Sequence, residues 1–133
     1  RLHLLLARHY DAAGQPARSK AAAQASAEYA PTFRDAHLLL GRLHEAEADW
    51  SRAALAYERA RALDPDAGDA YRALLRVHAA DTSLDVVADR WAGQARARPD
   101  ATVLCEHAIE ALHKTERYAE AQALAEHCAG PGS

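Results

Sequence analysis

The feature that most constrains this chain is a period of 34 residues, which sets Pro31, Pro65 and Pro99 in phase. The same step joins Leu6, Leu40 and Leu74 with Ala108. It also joins Arg8, Arg42 and Arg76, then Tyr10, His44, His78 and Leu112, and finally Ala23, Tyr57, Trp91 and Ala125. The 133 residues hold nearly four such units, at about 1–33, 34–67, 68–101 and 102–133, so the chain reads as one repeat domain over 1–133. Periods of this size belong to stacked architectures, in which each unit covers its neighbour's apolar face.

Composition decides what the units are made of. Thirty-five residues are Ala, whereas Val, Ile and Thr together number nine. Sheets rest on β-branched and aromatic residues, while Ala, Leu, Arg, Glu and Gln favour helix, so the expected class is all-α. Within the second unit a helical period appears twice, through His37, Leu40, Gly41 and His44, and then through Ala53, Leu55, Tyr57 and Ala60. The turn between them is Ala48-Asp49-Trp50. Pro65 ends the second helix, because a proline disfavours helical geometry in the residue before it. Eight helices are predicted near 1–13, 16–29, 34–47, 50–63, 68–80, 84–97, 102–114 and 118–129, paired antiparallel.

These residues resemble the tetratricopeptide repeat (TPR) family, and the resemblance runs over essentially the whole chain. The second unit carries the pattern most fully, in His37, Leu40-Gly41, His44, Trp50, Ala53, Tyr57, Ala60 and Pro65. The first unit offers Leu6-Ala7, Tyr10, Gly14 and Pro31. The third offers Tyr71, Leu74, Trp91 and Pro99, but Leu75 and Val87 replace the expected small pair, which predicts a wider helix crossing there. The fourth offers Ala108, Tyr118, Ala121 and Ala125 before fading into Gly130-Pro131-Gly132-Ser133. The resemblance implies a right-handed α-solenoid of about four TPR-like helix-turn-helix repeats. Gly41 and Ala53 would let paired helices approach, and Tyr57 and Trp91 would fill the space between successive repeats.

In this family the first helix of each repeat lines a concave groove that binds protein segments. The position after the Leu-Gly pair holds Arg8, Arg42, Arg76 and Glu110, its neighbours Leu4, Leu38, Arg72 and Glu106, and a further set Asp11, Glu45, Ala79 and His113. One reading is a ladder of arginines gripping carboxylates, for which the guanidinium fork is suited. The other pairs each arginine with Asp11 or Glu45, three residues along its own helix. The family's chaperone-tail clamp needs Lys and Asn where this chain has Leu4 or Leu38 and Arg, so an acidic or mixed peptide with an apolar side towards Leu4 and Leu38 is the expected partner.

Other chemistry finds little support. His37, His44, His78 and His3 occupy positions that the family gives to core aromatics. Glu106, Glu110 and His113 share a helix face but lack the further Cys or His ligand of a closed metal site, so no metal or cofactor is expected. Cys105 and Cys128 could approach one another, yet buried small hydrophobes are the commoner role for such residues. There is no glycine-rich phosphate loop and no nucleophile elbow, so catalytic residues are expected to be none. The formal charge of -3 argues against nucleic acid, and no apolar stretch is long enough to span a membrane. The compartment is not readable, with the cytoplasm the default in the absence of a leader. The excess of Arg over Lys hints at a GC-rich, bacterial source. The missing Met suggests an excised or processed chain, which leaves open a targeting domain of a larger enzyme such as a glycosyl- or sulfotransferase. Self-association through open repeat ends is the remaining alternative.

Overall fold

A computed structural model describes residues 2–130 as helices and the turns that join them, with no strand among the described residues. The helices are α1 (Leu2–Ala12), α2 (Pro16–Tyr29), α3 (Arg34–Ala46), α4 (Trp50–Leu63), α5 (Gly68–Ala80), α6 (Leu84–Ala97), α7 (Thr102–Lys114) and α8 (Tyr118–Ala129). Their bounds agree with the sequence expectation to within a residue. Arg1, expected to open the first helix, and Pro131, Gly132 and Ser133, where the last repeat fades, lie outside the described residues.

The period is written most clearly in the turns inside each helix pair. The second residue beyond each first helix takes a left-handed conformation, at Gly14 (φ 72), Ala48 (φ 57), Thr82 (φ 57) and Glu116 (φ 60). The next backbone N–H reaches back into the helix, from Gln15 to the Tyr10 carbonyl at 2.8 Å, Asp49 to His44 at 2.9 Å, Ser83 to His78 at 2.9 Å and Arg117 to Leu112 at 2.8 Å. The left-handed residue itself donates to the Asp11, Glu45, Ala79 or His113 carbonyl. This double bond pattern is a Schellman motif, which satisfies carbonyls that the helix end would otherwise orphan. Each of the four pairs closes in the same way.

The chain divides into two compact units, residues 1–64 and 65–133, each holding two helix pairs. In the first unit the core is drawn from α1 (Leu4, Ala7), α2 (Ala23, Ala27), α3 (Ala36, Leu39, Leu40, Leu43) and Ala56 of α4. Small residues set the spacing. Ser19 on α2 is fully buried and donates to the Ala7 carbonyl of α1 at 2.7 Å. Gly41 lies under the ring of Tyr57, where a Cβ would come within 2.5 Å of the aromatic carbons.

The second unit is built on larger side chains, with Tyr71, Leu74, Val77, Val87, Trp91, Leu112 and Leu124 almost wholly buried. Burying each such side chain contributes roughly 1.5–3 kcal/mol. Tyr71 sits edge-on to Trp91 at 5.2 Å and stacks on His107 at 4.8 Å. The backbones of α5 and α6 stand farther apart than those of α3 and α4, with Leu75 and Val87 buried at the crossing. The sequence left open whether Cys105 and Cys128 are bonded or are buried small hydrophobes, the commoner role. They form a disulfide that ties α7 to α8, with their Cα atoms 6.4 Å apart. Arg117, at the start of α8, adds ion pairs to Asp89 on α6 and Glu120 on α8, which raise the pKa of its guanidinium above the ordinary value.

Candidate protein-interaction site

In the first unit the arginines singled out from the sequence are paired, but with neither of the acids on their own helices. Arg8 on α1 lies 3.8 Å from Asp35 on α3, and Arg42 on α3 lies 2.9 Å from Asp11 on α1. The two ion pairs cross between the first helices of successive repeats. The side chains are 57% and 52% exposed in one pair and 62% and 39% in the other. Exposed pairs of this kind contribute about 0.2–1 kcal/mol, so either guanidinium can exchange its partner for a ligand carboxylate at small cost. Glu45, three residues beyond Arg42, instead accepts the Tyr57 hydroxyl at 2.8 Å.

Leu38 is half-buried beside this face, but Leu4 is only 3% exposed and belongs to the core. Its place among ligand contacts is therefore corrected. Leu4 and Ala7 are three residues apart and share the inward side of α1, so both pack on α2 and α3. His3, expected in a core position, is exposed, its ring tilted 6.4 Å from that of the exposed Tyr29.

In the second unit Arg72 and Arg76 are exposed on α5, and Glu106, Glu110 and His113 are exposed on α7. The Arg72 guanidinium turns back over the start of its helix, where a Cβ on Gly68 would meet Nη1 at 2.8 Å. Glu110 faces Lys114 one turn on, at 4.0 Å. Among the described residues no three His, Cys, Asp or Glu side chains are grouped to hold a metal ion.

A second feature was not foreseen from the sequence. Between α2 and α4 of the first unit a groove of about 860 Å³ opens down to α3. Its floor is His37, Leu40 and His44, its walls include Ala27 and Ala56, and Arg52, Leu55, Arg59 and Leu63 stand on the α4 rim. His37 and His44 are buried, as their core-aromatic positions implied. The His37 Nε2–H donates to the Pro31 carbonyl at 2.7 Å. Burial lowers the His44 pKa, and nearby Asp49 opposes this only in part. Burial thus favours the neutral form of the His44 ring. The available signal was a comparison of second helices along the period, where small Ala56 stands in phase with large Leu124.

No family model matches the sequence, and no curated protein does. Among solved structures 29 chains match. One is the crystal structure of MamA, which superposes with a TM-score of 0.64 at 20% identity, over 95% of this chain and 74% of that one. A likeness at that identity is one of fold. Together with the in-phase turns and paired helices, it shows that this chain has a TPR-like, all-helical repeat fold.

Proposed function

We propose that this chain is a protein-binding scaffold rather than an enzyme, and that it engages acidic or mixed-charge segments through the exposed faces of its first helices. In the first unit the contacts would come from Arg8, Arg42, Leu38 and Glu45, and in the second from Arg72, Arg76 and Glu110. The observation that carries the reading is the crossed pairing of Arg8 with Asp35 and Arg42 with Asp11. It presents guanidinium and carboxylate groups side by side, in solvent, on a TPR-like fold. Such a surface offers bidentate contacts to ligand carboxylates and paired sites for a ligand lysine or arginine. The test is a quantitative pull-down with wild type and Arg42→Glu at matched helicity. Capture falls several-fold in the variant and falls with added salt, whereas equal capture removes the reading.

A second reading, self-association, has its own support. Leu2, Leu5 and Leu6 on α1 are 77%, 60% and 45% exposed, whereas their equivalents one repeat later, Ala36, Leu39 and Leu40, are buried. Light scattering on wild type and Leu5→Glu distinguishes a dimer held by this stripe from a monomer.

The Cys105–Cys128 disulfide also bears on where the scaffold works. Such bonds persist in oxidising compartments, which favours one of these over the cytoplasm.

A further inference from the structure

We infer that the groove between α2 and α4 is a second docking site, on a different face from the first-helix arginines. Its occupant is an amphipathic helix from another protein, with an acidic flank. The repeat supplies an internal control for this assignment. In the second unit the equivalent second helices, α6 and α8, close on each other: Leu124 is 1% exposed and the His127 Nε2–H donates to the Arg96 carbonyl at 3.0 Å. At the same register the first unit has Ala56 for Leu124 and Arg59 for His127. Helices α2 and α4 consequently stay apart, and the space that a leucine fills in one unit is open in the other.

Chemistry and size select the occupant. The floor is formed by His37, Leu40 and His44, with no Asp, Glu, Lys or Arg among them, and the buried Nδ1 atoms of His37 and His44 have no partner. Leu55 and Leu63, 52% and 39% exposed, add apolar rim. From Arg52 to Leu63 the α4 wall rises about 17 Å, or roughly three helical turns. Arg52 and Arg59 stand two turns apart on that wall. Among the described residues Arg59 has no ion-pair partner, and Arg52 has Asp49 at 3.7 Å with its own side chain 71% exposed. Glu28 lines the opposite side. A helix carrying a leucine-sized anchor over Ala56 and acids facing Arg52 and Arg59 satisfies the apolar floor and the cationic rim together, in the helix-in-groove mode. The chain's own bare apolar helix, α1, has Asp11 as its sole acid, so a second copy matches the arginine rim poorly.

The experiment selects binders to the full chain from a phage library of helical peptides about 16 residues long, then measures the enriched peptides by fluorescence anisotropy. The site predicts a shared apolar anchor with Asp or Glu along one flank. It predicts at least tenfold weaker binding to Ala56→Leu, which fills the groove, and to Arg59→Glu, with Arg42→Glu unchanged. A peptide with Lys in place of the acid recovers affinity for Arg59→Glu. Arg59→Glu is an exposed change, so it keeps the test valid if Ala56→Leu misfolds by circular dichroism. Enrichment without an acidic amphipathic pattern, or affinity unmoved by Arg59→Glu, overturns the assignment. So does light scattering that shows a homodimer dissolved by Leu55→Glu, because the occupant is then a second copy.

Discussion

Replacing Thr82 by glycine should stabilise the second unit, although it removes a side chain and adds none. Thr82 holds φ at 57 in the turn between α5 and α6, where a left-handed backbone presses Cβ towards the following carbonyl at a cost of roughly 1–2 kcal/mol. A β-branched residue tolerates this conformation least. Against the relief stand the greater freedom of glycine in the unfolded chain, about 0.4–1 kcal/mol, and the exposed bond from Thr82 Oγ1 to the Asp81 carbonyl. The balance is a gain of about 0.5 kcal/mol at mid-range. For a unit of this size that raises the melting temperature by roughly 2–4 °C. Thermal and urea unfolding followed by far-ultraviolet circular dichroism reads the change directly. The converse change, Gly14→Thr, should destabilise the first unit by a similar amount, since Gly14 holds φ at 72 in the equivalent turn. A lower midpoint for Thr82→Gly would refute the claim that the four turns share one strained geometry.

Gly41→Ala places a Cβ 2.5 Å from Tyr57 Cε1, and that ring cannot swing away because its hydroxyl is held by Glu45. Overpacking of about 1–3 kcal/mol is set against a helix-propensity gain of about 1 kcal/mol, so urea unfolding should show a net loss centred on roughly 1 kcal/mol. Cys128→Ser opens the disulfide that joins residues 23 apart in sequence, and should lower stability by about 3 kcal/mol. Reduction of the wild type should reproduce the loss. His44 binds a proton less readily folded than unfolded, because burial lowers its pKa. Its contribution is therefore fully present above the unfolded value of about 6.5 and is lost as pH falls below it. Denaturant midpoints should drop on acidification through that window in the wild type and drop less in His44→Phe.

The helices and their phase were legible because each has a local cause: alanine throughout, proline after Asp64 and its equivalents, and apolar residues at helical spacing. The left-handed turns were legible only at Gly14. Ala48, Thr82 and Glu116 adopt the same conformation without the residue that signals it, because the Schellman bonds are made by backbone groups. The exposed arginines could be placed, but not their partners, since pairing Arg42 with Asp11 depends on how α1 and α3 pack. Leu4 was misplaced for a related reason, as its face of α1 is fixed by contact with α2 and α3 and not by its neighbours in sequence. The groove was hardest to foresee. It exists because Ala56 is small where Leu124 is large, and a space left by a missing side chain has no motif.

The function proposed for this TPR-like chain is the binding of protein segments through charged faces of its first helices. The most direct measurement is a parallel quantitative pull-down with the full chain as wild type, Arg42→Glu and Arg76→Glu, each first matched for helicity. The specific partners of the wild type should be retained several-fold less by at least one variant, and the remaining capture should be less sensitive to salt. Identical capture by all three proteins at every salt concentration would contradict it.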